Sequence, residues 1–291
     1  MDSLMMFKVL ILQQLYNLSD QSMEFQIADR SSFRSFLGIK SIKEVQDEKT
    51  IWSYREKLKS SGQLENLFND FHKRLSAQGL IANKGMVVDA TIVKAPIQRN
   101  SKKENEQIKN GEQITEWKNK PNKDRQKDKD ASWVKKHGRS SYGYKDHIKI
   151  DRKSKLIDKY AVSPASEDDS QKLKKLLSKR DQGQTLYGDS AYRSKAQEEL
   201  IEKVKMKSRV HKKGYRANLL TQKDVKSNKS KSRIRVRVEH VFGHMRKWMN
   251  GFEIRSIGIK RAEVQIGLKN LAYNLSRTVY LMSKKRKQVA I

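Results

Sequence analysis

The sequence lacks cysteine entirely, with none among its 291 residues. The chain therefore cannot form disulfide bonds, supply thiolates to a zinc finger or use a thiol as a nucleophile. A reducing compartment is compatible with this composition. Any metal site has to be built without thiolate ligands.

The N-terminal region lacks a hydrophobic run long enough to cross a membrane. Its apolar stretch, Met5–Leu15, is too short for a span and contains Lys8 and two adjacent glutamines. No small-residue cleavage site follows this stretch, which argues against a signal peptide. The sequence thus predicts a cytoplasmic protein without a membrane partner.

Phosphate-binding glycine loops are also missing. Gly138 and Gly143 flank a basic segment without the spacing of such a loop, and neither a Walker nor a Rossmann pattern occurs. Nucleotide hydrolysis is therefore not indicated.

Acidic residues are scarce relative to basic ones, with 33 Asp and Glu against 64 Lys and Arg and a formal net charge of +31. An excess of this size favours a polyanionic partner, because each phosphate that is neutralised releases counterions. Nucleic acid is the leading candidate. A merely basic, solvated surface and an RNA-binding protein of the ribosomal kind are the alternatives.

The most strand-like stretch is Gly85–Val93, which is apolar and β-branched except for one carboxylate, Asp89. Val, Ile and Thr suit a buried pleated surface, so this stretch predicts a central strand. A carboxylate in such a strand is costly unless it is paired or binds a cation. Asp89 therefore requires a partner from elsewhere in the chain.

Two later segments supply candidate partners for Asp89. Within Thr185–Tyr192 an apolar run ends at Asp189 and predicts a second strand, followed by a loop and a helix, and the helical pattern of Lys231–Met249 contains Glu239. Three carboxylates meeting at one point suit hard cations such as Mg²⁺ or Mn²⁺. Two such ions can support cleavage or joining of a phosphodiester, with Asp89 bridging both ions.

Basic residues accompany Glu239 on the same helix. Arg235 lies one turn before it and Arg246 two turns after it, so the three share one face. We expect this face to contact DNA phosphates, and the basic strip is extended by Arg233, Arg237 and Lys247. Taken alone, a strand aspartate is more often a hydrogen-bonded or turn residue, and a helical glutamate more often a salt-bridge member.

The remaining pattern predicts an α+β/α/β chain, in which an N-terminal helical bundle precedes a mixed sheet flanked by helices. Amphipathic segments over the first ~80 residues predict an independent bundle. Alternating residues in Tyr142–Asp151 and Leu156–Val162 predict a β-hairpin. The polar insertion 98–132 is expected to be a mobile surface segment, and a disordered loop is favoured over a segment that DNA orders. Residues 284–291 are expected to form a basic tail after a helix from Ala262 to Met282, solvated by default, with DNA contact as the alternative.

Three motifs resemble those of bacterial insertion-sequence transposases of the DDE class, close to the insertion-sequence-five family. They are Gly85–Thr91, Tyr187–Tyr192 and Arg235–Gly243, which contain Asp89, Asp189 and Glu239 respectively. Three further stretches resemble that group's N-terminal helical domain: Leu18–Asp20, Asp29–Gly38 and Asp47–Trp52. Tyr142–His147 resembles its conserved hairpin.

The resemblance implies a ribonuclease H-like catalytic domain at 85–283 and an N-terminal domain at 1–80 for DNA binding or dimerisation. It further implies divalent metal, cleavage of double-stranded DNA at terminal inverted repeats, strand transfer into target DNA and a homodimer on paired ends. Asp89, Asp189 and Glu239 would be the catalytic metal ligands, and Arg235 would take the arginine position upstream of the glutamate.

The sequence departs from the family pattern in two respects. A related tyrosine–arginine–glutamate–lysine signature has tyrosine at the position of Ser232 and lysine at the position of Arg246. The chain would also begin inside the family's first conserved helix, and three hypotheses are open. The first is an active transposase, and the second is a truncated, catalytically incomplete DNA-end-binding protein or transposition inhibitor. The third is a ribonuclease H-like nuclease acting on RNA, which would share the metal site.

Overall fold

The computed structural model describes residues 2–96, 98–136, 138–215 and 219–289. Its N-terminal part consists of helices α1 Ser3–Tyr16, α2 Asp20–Asp29, α3 Ser31–Leu37, α4 Glu48–Ser61 and α5 Gln63–Ala77. The side chains of Asp2, Ser19 and Asp47 accept hydrogen bonds from backbone N–H groups at the starts of α1, α2 and α4. Such caps satisfy amide groups that the helix itself leaves free.

The sheet follows these helices and is mixed, as the sequence predicts. Its strands are β1 Met86–Lys94, β2 Ser132–Lys136, β3 Arg139–Asp151, β4 Ile157–Pro164, β5 Thr185–Tyr187 and β6 Lys207–Ser208. β1 is central, antiparallel to β3 and parallel to β5, while β4 pairs with β3 as the predicted hairpin. The order is β2-β3-β1-β5-β6, with β4 beside β3.

The remaining helices after the sheet begins are α6 Lys102–Lys109, α7 Thr115–Lys118, α8 Pro121–Gln126, α9 Leu173–Leu176, α10 Lys195–Lys203, α11 Gln222–Trp248 and α12 Ile259–Val289. One face of β1 carries Val87 and Val93 into the core that α11 and α12 share. The other face carries Met86 and Val88 into a smaller core with residues of α9 and α10. Alternation along the strand places Asp89 on the α11 side.

The expectation of an independent N-terminal bundle is wrong. Met6, Val9 and Leu10 of α1 are fully buried and belong to the same hydrophobic cluster as the inner face of α12. α1 packs directly on α12, and α4 and α5 pack on it as well. The helices and the sheet therefore share one core, because α12 has apolar residues on the faces that each of them covers.

The expectation of a disordered loop at 98–132 is also wrong. The segment forms α6 to α8, and the Trp117 side chain within it is only 3% exposed. Asp128 is buried and accepts a hydrogen bond from the Tyr144 hydroxyl at 2.8 Å, while Trp133 donates to the Asn100 carbonyl at 2.7 Å. Polar contacts to β3 thus hold a segment whose apolar residues are too few to form a core of their own.

The last helix is longer than the sequence predicts. It runs beyond Met282 through the basic residues 284–287 to Val289, and residues 290–291 of the predicted tail lie outside the described part. In the described ranges of the chain, no helix has both the length and the apolar character needed to cross a bilayer.

Candidate active site

Asp89 occupies the middle of β1 and is largely buried. Burial raises the pKa of its carboxyl to about 6. The hydrogen bond from its neighbour's backbone amide and the positive charges of Arg235 and Lys136 oppose this rise in pKa, whereas the negative charge of Asp189 adds to it. The carboxylate therefore sits where added positive charge would stabilise it.

Asp189 lies two residues after the end of β5, close enough for its negative charge to act on Asp89. The parallel register pairs Met86 with Leu186 and Val87 with Tyr187, and its continuation aligns Asp89 with Asp189. Gly188 permits this close approach, since a Cβ there would lie 3.0 Å from a methyl group of Val88. The Asp189 side chain accepts from the Ala191 amide at 2.9 Å, which fixes its orientation at the strand end.

Glu239 reaches the same region from α11, through Arg235. The Arg235 guanidinium donates from Nη1 to Asp89 Oδ2 at 2.6 Å and from Nη2 to Glu239 Oε1. One cationic side chain thus joins a strand carboxylate to a helix carboxylate. The Glu239 side chain itself is 48% exposed, and its contact with Arg235 holds it at the edge of the site.

The carboxylates do not converge on a single point in this arrangement. Among the described residues, no three acidic or histidine side chains stand close enough together to hold a metal ion. The donor set nevertheless fits a hard cation, because all three candidate ligands are carboxylates and burial of Asp89 disfavours its charged form in the absence of further positive charge. Arg235 stands between Asp89 and Glu239, so those two carboxylates can share a cation only if its guanidinium moves.

The predicted DNA-contacting residues fall into two groups. Arg233 and Lys247 are exposed on α11. Arg246 donates from Nη2 to the Thr91 hydroxyl, and Arg237 donates to the Arg152 carbonyl at 2.8 Å. Arg246 is thereby held next to Asp89, whereas Arg237 is engaged by the turn that joins β3 to β4.

Two further residues near the site were not among the predicted ones. The His211 amide donates to the Gly188 carbonyl at 3.1 Å, and its imidazole lies 3.4 Å from the Ser232 hydroxyl. Partial burial, followed by the charges of Arg235 and Lys231, lowers the pKa of His211. Lys136 acts on the pKa of Asp89 from the β2–β3 hairpin. No motif marks either residue, because both approach the site through the path of the chain.

Two family models match the chain. One described as transposase DDE domain matches residues 82–275, which contain Asp89, Asp189 and Glu239, and one described as transposase domain (DUF772) matches residues 1–57. No solved structure matches the chain.

Proposed function

The chain belongs to the transposase DDE family, and we propose that Asp89, Asp189 and Glu239 are the carboxylates with which it cuts DNA at the ends of an insertion sequence. Membership makes it a DNA-binding transposase that cleaves and transfers strands. The observation that carries the assignment of residues is the position of Asp89 on β1 in register with Asp189 just beyond the end of the parallel strand β5, with Glu239 joined to Asp89 through Arg235.

We propose that the sheet and its flanking helices form a ribonuclease H-like catalytic domain over 85–283. A central strand with an antiparallel hairpin on one side and a parallel strand on the other supports this assignment. The acidic residues lie on the central strand and at the end of its parallel neighbour, and α11 covers that region.

Enzymes of this family generally use divalent metal ions. We propose that Asp89 would be shared by two Mg²⁺ or Mn²⁺ ions and that Asp189 and Glu239 would each hold one. Bound ions would supply activation of the attacking oxygen and neutralisation of the leaving oxygen. Glu239 would take part by turning from Arg235 towards the strands.

Arg235 has a second role in this proposal. Released from Asp89 and Glu239, its guanidinium would be available on the same face of α11 as Arg246, about three turns away, and both could donate to phosphate oxygens of the DNA. Arg233 and Lys247 are exposed along the same helix and extend the cationic surface. These side chains would orient the scissile phosphodiester towards the carboxylates.

We further propose that the DNA substrates are terminal inverted repeats and target duplex, handled by a homodimer on paired ends. Residues 1–80 would contribute to DNA binding or dimerisation, and 284–291 would add basic charge. The formal charge of +31 supports a polyanionic partner. Assignment to the insertion-sequence-five group rests on the motifs around Asp89, Asp189 and Glu239.

The test is cleavage of a labelled duplex that ends in the inverted repeat flanking the gene. We expect cutting at the repeat boundary with Mg²⁺, loss of cutting in EDTA and loss in Asp189→Ala, with DNA binding retained. Asp70→Ala is the matched control, since Asp70 is exposed and pairs with Lys73 on α5. Normal cutting by Asp189→Ala would refute the site. Binding without cutting by the wild type would instead indicate an end-binding protein.

A further inference from the structure

Gly243 lies inside the long helix α11 and is exposed. Glycine is among the least favourable residues for a helix interior, since it gains no side-chain contacts and loses the most backbone freedom. A Cβ built at Gly243 meets no described atom within 4 Å. The fold described here thus offers room for a larger residue at a position where glycine weakens the helix.

At the other glycines with described surroundings, the structure explains why a larger residue would not fit, and at Gly243 it does not. The second helical glycine, Gly267 in α12, has Tyr160 and Leu64 against it, so that a Cβ would lie 2.8 Å from a Leu64 methyl group. Gly188 is similarly close to Val88. Most of the remaining glycines with described surroundings have a positive φ, which favours glycine in any environment. Gly243 alone among these has neither reason.

Gly243 lies on the side of α11 that carries the candidate active-site residue Glu239. Gly243 follows Glu239 by four residues and precedes Arg246 by three, so the three lie on one face of the helix. Arg246 is fixed by its hydrogen bond to Thr91, two residues after Asp89. Lys247 is exposed beside them. The helix surface next to Glu239 therefore combines a missing side chain with flanking positive charge.

We propose that Gly243 is the point at which the sugar–phosphate backbone of bound DNA passes closest to α11, in a gap bordered by Arg246 and Lys247. A phosphodiester fits this gap because its charge matches the flanking cations and its closest approach requires the absence of a Cβ. This inference rests on the proposed function for the identity of the ligand. The inference adds Gly243 to the DNA-binding residues. Its role would be to have no side chain, so a search for charged or metal-binding residues would not identify it.

The test compares Gly243→Ala and Gly243→Leu with the wild type on the labelled terminal-repeat duplex. Both variants should melt at or above the wild-type temperature, since the added side chain meets nothing in the fold and favours helix. Binding should weaken in the order wild type, Ala, Leu, by roughly tenfold for Leu. Cutting should fall further, by about a hundredfold for Leu, because the phosphodiester is displaced from the carboxylates.

Ser230→Leu is the control for added bulk. Ser230 is exposed on the side of α11 opposite to the Glu239 face, since nine residues rotate about 180° around the helix axis. This variant should therefore bind and cut DNA as the wild type does. Wild-type binding and cutting by both Gly243 variants would overturn the inference while leaving the proposed function intact. If the wild type bound DNA without cutting it, the proposed cleavage would be overturned. Weaker DNA binding by Gly243→Leu would in that case still support the close approach of the DNA backbone at Gly243.

Discussion

Asp146 lies on β3 opposite Thr91 and is fully buried between the sheet and α12. The Asn270 amide donates to its Oδ1 at 3.1 Å, and within the described part of the chain nothing donates to Oδ2. Burial raises the pKa of this carboxyl from 3.8 to about 8, an effect that Asn270 only partly offsets. The folded protein therefore keeps Asp146 protonated at neutral pH.

The raised pKa of Asp146 predicts a pH-dependent stability. Between pH 4 and 8 the folded chain holds a proton that the unfolded chain releases, so the contribution of Asp146 is complete at low pH and is lost as pH rises towards 8. Asp146→Asn should remove roughly 1 kcal/mol per pH unit from the pH dependence of the free energy of unfolding. Urea denaturation of both proteins at several pH values measures this.

A control separates the Asp146 effect from general titration. Asp70→Asn alters an exposed carboxylate on α5 and should give a curve parallel to the wild type. If Asp146→Asn were also parallel to the wild type between pH 5 and 8, Asp146 would not be the protonated group.

Single residues of the candidate site are foreseeable to different degrees. Asp89 can be found because a carboxylate in an apolar run needs a partner, and the helical spacing of Arg235 and Glu239 predicts that they share a face. The hydrogen bond from Arg235 to Asp89 joins residues 146 positions apart and depends on how α11 packs on β1. No local pattern determines that packing, and the same holds for the approach of His211.

At the scale of elements, a buried ionic network joins the sheet to α5. Lys149 on β3 is fully buried and contacts Asp158 of β4 at 2.7 Å and also Asp181, while His72 of α5 pairs with Asp158. Burial by itself would raise the pKa of the Asp158 carboxyl, but the close contacts with His72 and Lys149 outweigh it and hold that pKa well below its usual range. The sequence does not reveal the network, because its members come from four separate segments.

Removing the cation of this network should be strongly destabilising. Lys149→Met leaves Asp158 and Asp181 buried with one fewer counter-charge and should lower the free energy of unfolding by about 3–5 kcal/mol. Chemical denaturation measures the change. Lys73→Met is the control, since Lys73 and Asp70 form an exposed pair whose loss should cost under about 1 kcal/mol. Similar losses in the two variants would show that burial does not determine the strength of the Lys149 network.

The success of the sequence interpretation also varies among elements. β1, the β3–β4 hairpin and the part of α11 from Lys231 onward are predictable because their periodicity is regular and their apolar residues are numerous, whereas the polar first turns of α11 from Gln222 are missed. The insertion 98–132 is not predictable, since Trp117 and Asp128 are stabilised by contacts with β3 and with neighbouring polar groups. Such contacts depend on partners distant in sequence, which composition alone does not specify.

At the scale of the whole molecule, α12 connects the two matched regions of the chain. Its inner residues, including Leu268 and Leu271, are buried in the cluster that also contains Met6 and Leu10 of α1. Gly267 allows Leu64 of α5 and Tyr160 of β4 to approach the helix from different elements. Removing the N-terminal helices would therefore expose a large part of the apolar surface of α12 to water.

This shared core predicts that residues 82–291 do not fold cooperatively without residues 1–80. The truncated chain should lose its near-ultraviolet circular dichroism and its cooperative urea transition, because exposing the α12 surface removes hydrophobic stabilisation of about 25 cal/mol per Å². Adding residues 1–80 as a separate peptide should restore both signals. Deleting 284–291 is the control, since the side chains of 284–287 are exposed and their loss should leave the transition unchanged. A cooperative transition in the truncated chain alone would mean that the sheet and its helices are stable without the N-terminal part.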